Sequence, residues 1–295
     1  MTHAIAGLWV ATVTPLDADG NVDAAALAAH CAWLDTQGCD GYVLFGTTGE
    51  GPSFTADERL AALDGVLRAG VKADRLALGT GAAALPDTIA LTRGALARGV
   101  VRTLQLAPFF WRDAGEDGIH AAFARTIDAA GDDRLRMFAY NIPQVARPGV
   151  PPAVLARLRR DYGAVAAGVK DSSAVFENFR AYRAASPDST VLVGAETDIA
   201  RALAEGGAGT ICGMANIVPA AVRAMFDQDA TAEAAMRAAC TGLPDPFLPA
   251  LKAAIAAATG REAWLRVRAP LTPLTLAAGG PILEAVRGGG ARRAA

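Results

Sequence analysis

Eight short apolar runs, rich in β-branched and aromatic residues, alternate along the chain with segments of helical periodicity. Most of the runs are apolar throughout, which is typical of strands that are covered on both faces. They read LWVATVT from 8, YVLFG from 42, LALGT from 76, TLQLAP from 103, RMFAYN from 136, VAAGVK from 165, TVLVG from 190 and GTICG from 209.

The segments between the runs predict helices, as in ADERLAALDGVLRAG and DGIHAAFARTIDAAG. Glycine closes several of them, at Gly38, Gly70 and Gly99. Eight strand–helix units within about 250 residues predict an α/β fold, the (β/α)8 or TIM barrel. A doubly wound sheet is the alternative, but it usually carries a Gly-x-Gly-x-x-Gly turn after an early strand, and none follows LWVATVT.

Additional helices are predicted after the eighth strand, in the segments PAAVRAMFDQ, TAEAAMRAACTGL and PFLPALKAAIAAATG. We therefore predict a barrel over 1–215 and a C-terminal helical extension of the same domain over 216–290. A second catalytic domain is not expected. The tail GGGARRAA is predicted to be frayed.

The composition supports a large core and argues against several kinds of partner. Hydrophobic residues make up 52% of the 295 positions and charged residues 20%, which argues against disorder. The net charge is −2, without the clustered positive charge that nucleic acid or an anionic membrane would require. No apolar run reaches the roughly 20 residues of a membrane span. The start MTHAIAGLWV also lacks the pattern of a signal peptide, so we expect a cytoplasmic protein.

The cysteines and histidines could in principle form a metal site, but their spacing does not favour one. No Cys-x-x-Cys pair occurs among the four cysteines, and the three histidines are scattered. We interpret the cysteines as core or surface thiols in a reducing compartment. Neither a metal nor a bound cofactor is expected.

Barrel enzymes carry their catalytic groups at the carboxyl ends of the strands. A strand-end threonine or tyrosine is more often structural than catalytic, but the combination found here favours a site. The candidates are Thr14, Thr47, Thr48, Tyr140, Lys170, Gly194, Glu196 and Ile211.

Lys170 directly follows the apolar stretch VAAGV, in a chain that has only three lysines. An ammonium at the mouth of a barrel is partly desolvated, which favours the neutral amine. A neutral amine can attack a ketone to form an imine, or Schiff base, and the protonated imine withdraws electrons from the adjacent carbon. The alternative is a structural lysine that is paired with Asp171.

A glycine-rich turn, FGTTGEG from 45, leads into the helix predicted near TADERL. Backbone N–H groups in such a turn, together with the start of a helix, suit a carboxylate. The strand ends therefore offer an amine for a ketone and a cradle for a carboxylate. A 2-keto acid carries both groups on neighbouring carbons.

Three of these segments, GTTGEGPS from 46, YNIP from 140 and GVKDSS from 168, resemble the signatures of the dihydrodipicolinate synthase / N-acetylneuraminate lyase family. The segments VATVTPLDADGNVD, LVGAETD and PLTPL also match in order, so the resemblance covers nearly the whole chain. Members of this family are class I aldolases and related lyases that bind pyruvate as an imine, and they assemble as dimers or tetramers.

The resemblance implies a role for each candidate. Lys170 is the Schiff-base lysine and Tyr140 the proton-relaying acid/base. Thr47 and Thr48 hold the pyruvate carboxylate, and Thr48 also touches the relay. The site is further lined by Gly194, Ile211 and Glu196. No cofactor is implied, because the covalent imine on the lysine itself withdraws the electrons.

The chain departs from the family's synthases at two positions. Those enzymes usually carry a tyrosine in the loop after strand four that reaches the neighbouring subunit. This chain has Phe109 and Phe110 there, and a phenylalanine side chain can neither donate nor accept a proton. They also tend to carry an arginine two residues beyond the proline of YNxP, where it binds the aldehyde's carboxylate. This chain has Val145 there, with Arg147 two positions further on as the nearest replacement.

These departures favour a sugar-acid substrate. GTTGEGPS resembles the 2-keto-3-deoxy sugar acid aldolases of the family, and Glu196 could contact substrate hydroxyls unless it is a solvated loop carboxylate. We expect a pyruvate lyase that cleaves or dehydrates a 2-keto-3-deoxy sugar acid or a similar hydroxylated 2-keto acid. The alternatives are a 4-hydroxy-tetrahydrodipicolinate synthase, which condenses pyruvate with aspartate semialdehyde, and a non-catalytic barrel that binds a metabolite.

An assembly is expected as well. The loop APFFWRD presents three adjacent aromatic residues, which would expose apolar area in a monomer. We therefore predict a homo-oligomer, a homotetramer in preference to a dimer, with burial of the loop against its own barrel as the alternative.

Overall fold

Eight parallel strands close into a barrel within residues 5–288, the part of the chain that the computed structural model describes. Each strand pairs with the next along the chain, and β1 pairs with β8 to close the ring. The predicted barrel is confirmed and the doubly wound sheet is not formed. The strands are β1 Gly7–Ala11, β2 Gly41–Leu44, β3 Leu76–Gly79, β4 Arg102–Leu106, β5 Arg136–Asn141, β6 Ala166–Asp171, β7 Thr190–Val193 and β8 Gly209–Cys212.

Helices alternate with these strands and surround the barrel. The first eight are α1 Ala24–Thr36, α2 Ala56–Arg68, α3 Leu85–Ala97, α4 Glu116–Ala130, α5 Pro152–Tyr162, α6 Phe176–Ala185, α7 Ile199–Ala204 and α8 Pro219–Ala224. Gly38, Gly70 and Gly99 follow α1, α2 and α3 with φ angles of 75°, 97° and 80°. Because this left-handed conformation suits glycine, each helix can end there and turn back toward the next strand.

Three more helices follow the eight strand–helix units: α9 Ala230–Gly242, α10 Phe247–Thr259 and α11 Leu276–Gly288. The predicted division at residue 215 precedes α8, which is the helix of the eighth unit. The tail predicted to be frayed lies, apart from Gly288, outside the described residues. Among the helices of residues 5–288, none combines the length and the apolar character that crossing a membrane requires.

Two apolar layers stabilise the barrel, because successive side chains of a strand point to opposite faces. One layer packs between the strands and the surrounding helices. The other fills the barrel itself and includes Trp9, Val43, Leu104, Phe138, Leu192 and Ile211. Lys170 shares the inward face of β6, so its long side chain rises from this inner layer toward the carboxyl ends of the strands.

Candidate active site

Lys170 and Tyr140 lie side by side on neighbouring strands. They are direct partners in the β5–β6 register, and both side chains are about 5% exposed. Nζ of Lys170 lies 3.3 Å from the hydroxyl of Tyr140 and 4.4 Å from the centre of its ring. The two residues that the sequence singled out are therefore in contact at the mouth of the barrel.

Asp171 does not pair with Lys170, although it follows it directly. The two side chains leave opposite faces of β6, as alternation along a strand requires. The Asp171 carboxylate accepts hydrogen bonds from Nδ2 of Asn141 at 2.7 Å and from the N–H and hydroxyl of Ser173 at 3.2 and 3.0 Å. Burial raises the pKa of Asp171, and these hydrogen bonds oppose the increase. The structural ion pair considered for Lys170 is thus not formed.

Thr47, in the loop after β2, adds a second hydroxyl to the pair. Its Oγ1 lies 3.3 Å from the hydroxyl of Tyr140. The resemblance had assigned this contact to Thr48, but the structure gives it to Thr47. Thr48 is buried on another side of the loop, where a Cβ added to Gly213 would meet its Oγ1 at 3.4 Å.

The glycine-rich loop folds tightly on itself. Gly46 O accepts hydrogen bonds from the N–H groups of Gly49 and Gly51, and Thr47 O accepts one from Glu50. Thr14 donates its hydroxyl to Gly49 O at 2.6 Å, so Thr14 supports the loop. Within residues 5–288, the N–H groups of Thr47 and Thr48 donate to no protein acceptor. Two adjacent free donors suit a carboxylate.

The start of α2 does not contribute to this cradle, contrary to expectation. Thr55 and Glu58 form a capping box, in which Thr55 accepts from the N–H of Glu58 and Glu58 accepts from the N–H of Thr55. A short 3₁₀ turn, Gly51–Ser53, also separates the loop from the helix. The carboxylate donors are therefore those of the loop itself.

Gly194 follows β7, and the side chains of Lys170 and Ser172 approach it closely. A Cβ at this position would overlap the hydroxyl of Ser172 and lie 2.8 Å from Cε of Lys170. Ser172 was not among the predicted site residues. Its position two residues beyond the lysine, in the turn after β6, is the only signal that could have indicated it.

Glu196 was predicted to lie in the site, with a solvated loop carboxylate as the alternative. Its Oε1 accepts hydrogen bonds from the N–H groups of Gly213 and Met214, both at 2.9 Å. The carboxylate is therefore anchored on the turn after β8. Its second oxygen has no hydrogen-bond partner among the described residues. Ile211 is fully buried in the inner apolar layer, one residue before the end of β8.

The residues that depart from the family's synthases lie near the mouth. Phe109 packs partly against the inner layer, whereas Phe110 and Trp111 are each 70% exposed and meet edge to face. Val145 is 64% exposed. Arg147 donates through Nε to Pro143 O at 3.2 Å.

In residues 5–288, no three His, Cys, Asp or Glu side chains cluster as metal ligands would.

Residues 4–278 match the profile of the Dihydrodipicolinate synthetase family. The chain belongs to this family. A protein of Chloroflexus aurantiacus described as an uncharacterized DapA-like lyase is 36% identical over 277 residues, with 91% of this chain and 92% of that protein covered. The chain is accordingly a lyase of the class I pyruvate aldolase group, acting on a carbon–carbon or carbon–oxygen bond.

Two solved structures share this fold. Dihydrodipicolinate synthase from Agrobacterium tumefaciens superposes with a TM-score of 0.90 at 32% identity, over 96% of this chain and 99% of that chain. A variant of Sulfolobus solfataricus 2-keto-3-deoxygluconate aldolase superposes with a TM-score of 0.83 over 97% of both chains, but at 20% identity. The second likeness concerns the fold alone.

Proposed function

We propose that Lys170 forms an imine with the keto group of pyruvate or of a larger 2-keto acid. The observation that carries this proposal is the 3.3 Å contact between Lys170 Nζ and the hydroxyl of Tyr140 in a buried site. An amine and a phenol at this distance supply the nucleophile and the proton donor that imine formation needs.

In the cleavage direction, the amine of Lys170 adds to C2 of the keto acid, and the carbinolamine loses its oxygen as water. The C4 hydroxyl of the protonated imine then loses its proton, and the C3–C4 bond breaks. C4 leaves as the carbonyl carbon of an aldehyde, and the electrons of the broken bond move into the imine to give an enamine. Protonation at C3 and addition of water release pyruvate and restore the amine. Tyr140, supported by Thr47, is the group within reach for these proton transfers.

The substrate carboxylate binds in the loop after β2. The unused N–H groups of Thr47 and Thr48 support this assignment, since two donors on adjacent residues can reach both oxygens of one carboxylate. Lys170 and the loop then hold the keto group and the carboxylate that a 2-keto acid carries on neighbouring carbons.

The remainder of the substrate is a hydroxylated chain, most consistent with a 2-keto-3-deoxy sugar acid. The hydroxyl of Ser172 beside Gly194 can donate to or accept from such a chain, and the second oxygen of Glu196 can accept from its hydroxyls. Val145 stands where the family's synthases place the arginine for an anionic aldehyde. An anionic substrate would thereby forgo a charge-assisted hydrogen bond worth about 1.5–3 kcal/mol.

A 4-hydroxy-tetrahydrodipicolinate synthase, which condenses pyruvate with aspartate semialdehyde, is the second candidate. It is favoured by the 32% identity and the TM-score of 0.90 to the Agrobacterium tumefaciens synthase. Phe110 argues against it, because a phenylalanine cannot replace a proton-relaying tyrosine.

The imine is tested by reduction with borohydride in the presence of pyruvate. A pyruvate-sized mass is expected on the peptide that contains Lys170, and it should be absent from Lys170→Arg. Tyr140→Phe should fold normally but turn over about 10²–10⁴-fold more slowly. An adduct on Lys72 or Lys252, or none at all, would refute the proposal.

A substrate panel separates the two candidates. Purified protein is assayed against 2-keto-3-deoxy acids, 4-hydroxy-2-oxoglutarate, N-acetylneuraminate, and pyruvate with aspartate semialdehyde. We expect release of pyruvate, or loss of water, from one of the hydroxylated keto acids. Efficient turnover of pyruvate with aspartate semialdehyde, and of no other substrate in the panel, would establish the synthase instead.

We further propose that the protein acts as a homo-oligomer. Phe110 and Trp111 support this, because two adjacent aromatic side chains that are 70% exposed leave apolar area in water unless a second copy covers them.

A further inference from the structure

A second buried lysine, Lys252, contacts the glycine-rich loop from the C-terminal helices. Its side chain is 0% exposed on α10, and its Nζ forms an ion pair with Oε1 of Glu50. The same Nζ donates to the backbone oxygen of Arg266 at 2.6 Å. Burial lowers the pKa of Lys252, and the charge of Glu50 opposes that change.

Glu50 lies within the loop that carries Thr47 and Thr48. Its second oxygen accepts the N–H of Arg268 at 2.9 Å, so both carboxylate oxygens are bonded to the C-terminal part of the chain. Its own N–H donates to Thr47 O at 3.1 Å. The carboxylate thus connects α10 and the segment after it directly to the backbone that presents the free N–H groups.

The local backbone indicates that the loop is held in this shape from outside. Glu50 has a φ angle of 55°, in the left-handed region that a residue other than glycine rarely adopts. Such conformations persist where surrounding contacts determine them, and they cluster at functional sites. The contacts that fix Glu50 are those with Lys252 and Arg268.

Stability alone is a weak reason for this arrangement. Burying two charges costs solvation that their mutual attraction and hydrogen bonds only roughly offset, and well-packed apolar residues often serve as well. What the ion pair adds is a defined geometry, since a carboxylate with a directed partner on each oxygen holds one orientation.

We propose that Glu50 and Lys252 are positioning residues, which hold the loop so that the N–H groups of Thr47 and Thr48 face the carboxylate of the keto acid. This inference rests on the proposed function, because it assigns the ion pair a role in binding that carboxylate. The C-terminal helices thereby contribute to substrate affinity without touching the substrate.

The test uses Glu50→Gln and Lys252→Met, which remove one charge each and approximately conserve side-chain length. Without any ligand, the peptide over 45–54 should exchange its amide hydrogens faster in both variants than in the wild type. With pyruvate, the concentration that gives half-maximal borohydride trapping should rise about tenfold. The trapping rate at saturating pyruvate should change less than about threefold, because Lys170 and Tyr140 stay in contact.

Leu155→Ala is the matched control, since it truncates a buried side chain on α5 and lowers stability away from the loop. It should reduce the melting temperature without changing the exchange of 45–54 or the half-saturating pyruvate concentration. Equal changes in Leu155→Ala and Glu50→Gln would mean that the ion pair is merely structural and would overturn the proposal. The proposal would also be overturned by a folded Glu50→Gln variant in which the half-saturating pyruvate concentration and the amide exchange of 45–54 equal the wild-type values.

If neither variant folds, Lys252→Arg keeps the charge and alters its geometry. It should still raise the half-saturating pyruvate concentration, and a wild-type value would contradict positioning. If the wild-type protein itself traps no pyruvate, the proposed function fails. The exchange of 45–54 then still reports whether the ion pair holds the loop.

Discussion

Asn141 donates a hydrogen bond from Nδ2 to Oδ1 of Asp171 at 2.7 Å, directly behind the contact between Tyr140 and Lys170. These four residues occupy two successive rungs of the β5–β6 pairing, where Tyr140 is opposite Lys170 and Asn141 opposite Asp171. The buried polar pair on the outer face therefore joins β5 to β6 one residue beyond the contact between Tyr140 and Lys170 on the inner face.

Asn141→Ala should weaken both stability and turnover. The variant leaves Asp171 buried with one hydrogen bond fewer, which costs about 1–3 kcal/mol. It also removes the acceptor of the Val150 N–H, which lies 3.0 Å from Asn141 Oδ1. Denaturant unfolding measures the loss of stability, and single-turnover trapping of pyruvate measures the loss of reactivity. A folded variant with unchanged trapping would show that the strand pairing alone sets the register.

The two threonines of the loop should differ in their effect on catalysis. Thr47→Val removes the hydroxyl beside Tyr140, so kcat should fall while the half-saturating substrate concentration changes little. Thr48→Val keeps the backbone N–H and leaves the Tyr140 contact intact, so kcat should stay closer to the wild-type value. Steady-state kinetics of both variants, with circular dichroism to check folding, make the comparison. A larger loss of kcat in Thr48→Val would restore the assignment made from the resemblance.

Buried His30 should make the protein less stable in mild acid. Its Nε2 lies 2.9 Å from Oδ1 of Asn216, and its ring packs against Trp33 and Trp264. Burial lowers the pKa of His30 from 6.5 to about 4. The unfolded chain therefore binds a proton that the folded protein excludes, and stability falls as pH decreases from about 6.5 to about 4. At pH 4, protonation of His30 in the unfolded chain lowers the free energy of unfolding by about 3 kcal/mol.

Urea unfolding at several pH values measures this loss, and His30→Gln is the control because it does not titrate. The variant should lose less stability between pH 7 and pH 4 than the wild-type protein does. Parallel curves for the two proteins would assign the acid sensitivity to other groups, such as the carboxylates in surface ion pairs.

Gly194→Ala should impair imine formation. The added methyl group overlaps the Ser172 hydroxyl and approaches Cε of Lys170, so it displaces the amine from Tyr140. The rate of borohydride trapping should fall at least tenfold (about 1.4 kcal/mol). Combining it with Ser172→Ala relieves only the hydroxyl contact, so trapping should recover in part. Wild-type trapping in Gly194→Ala would mean that Lys170 reacts from a different rotamer.

The exposed aromatic pair should control assembly. Light scattering at micromolar concentration should give a dimer or tetramer for the wild-type chain. Replacing both Phe110 and Trp111 with serine should shift the mass toward the monomer, whereas Val145→Ser, which also changes an exposed apolar residue, should not. A monomeric wild-type protein would dismiss the proposed oligomer.

The sequence was sufficient to predict the barrel and to select Tyr140 and Lys170, which the structure places in contact, because both predictions follow from regular rules. Apolar runs covered on two faces predicted all eight strands, and the strand-end rule selected Tyr140 and Lys170. The threonine in contact with Tyr140 could not be assigned in this way. Its orientation depends on positive φ angles at Phe45 and Glu50, which no periodic pattern reveals.

Longer-range partners were also beyond the sequence. Glu50 and Lys252 are 202 residues apart, and each is unremarkable in its own segment. Their pairing results from the packing of α10 against the loop, which depends on the whole barrel. Ser172 was missed for a simpler reason, since a serine in a turn is usually structural.

The distribution of lysines has a practical consequence. Lys170 and Lys252 are buried, whereas Lys72 is exposed and precedes β3 at the end of the barrel away from the site. Reagents that couple to side-chain amines under native conditions should therefore attach at Lys72. A dye, surface linker or affinity handle introduced there would lie at the end of the barrel away from the mouth, so that the mouth stays accessible from solution.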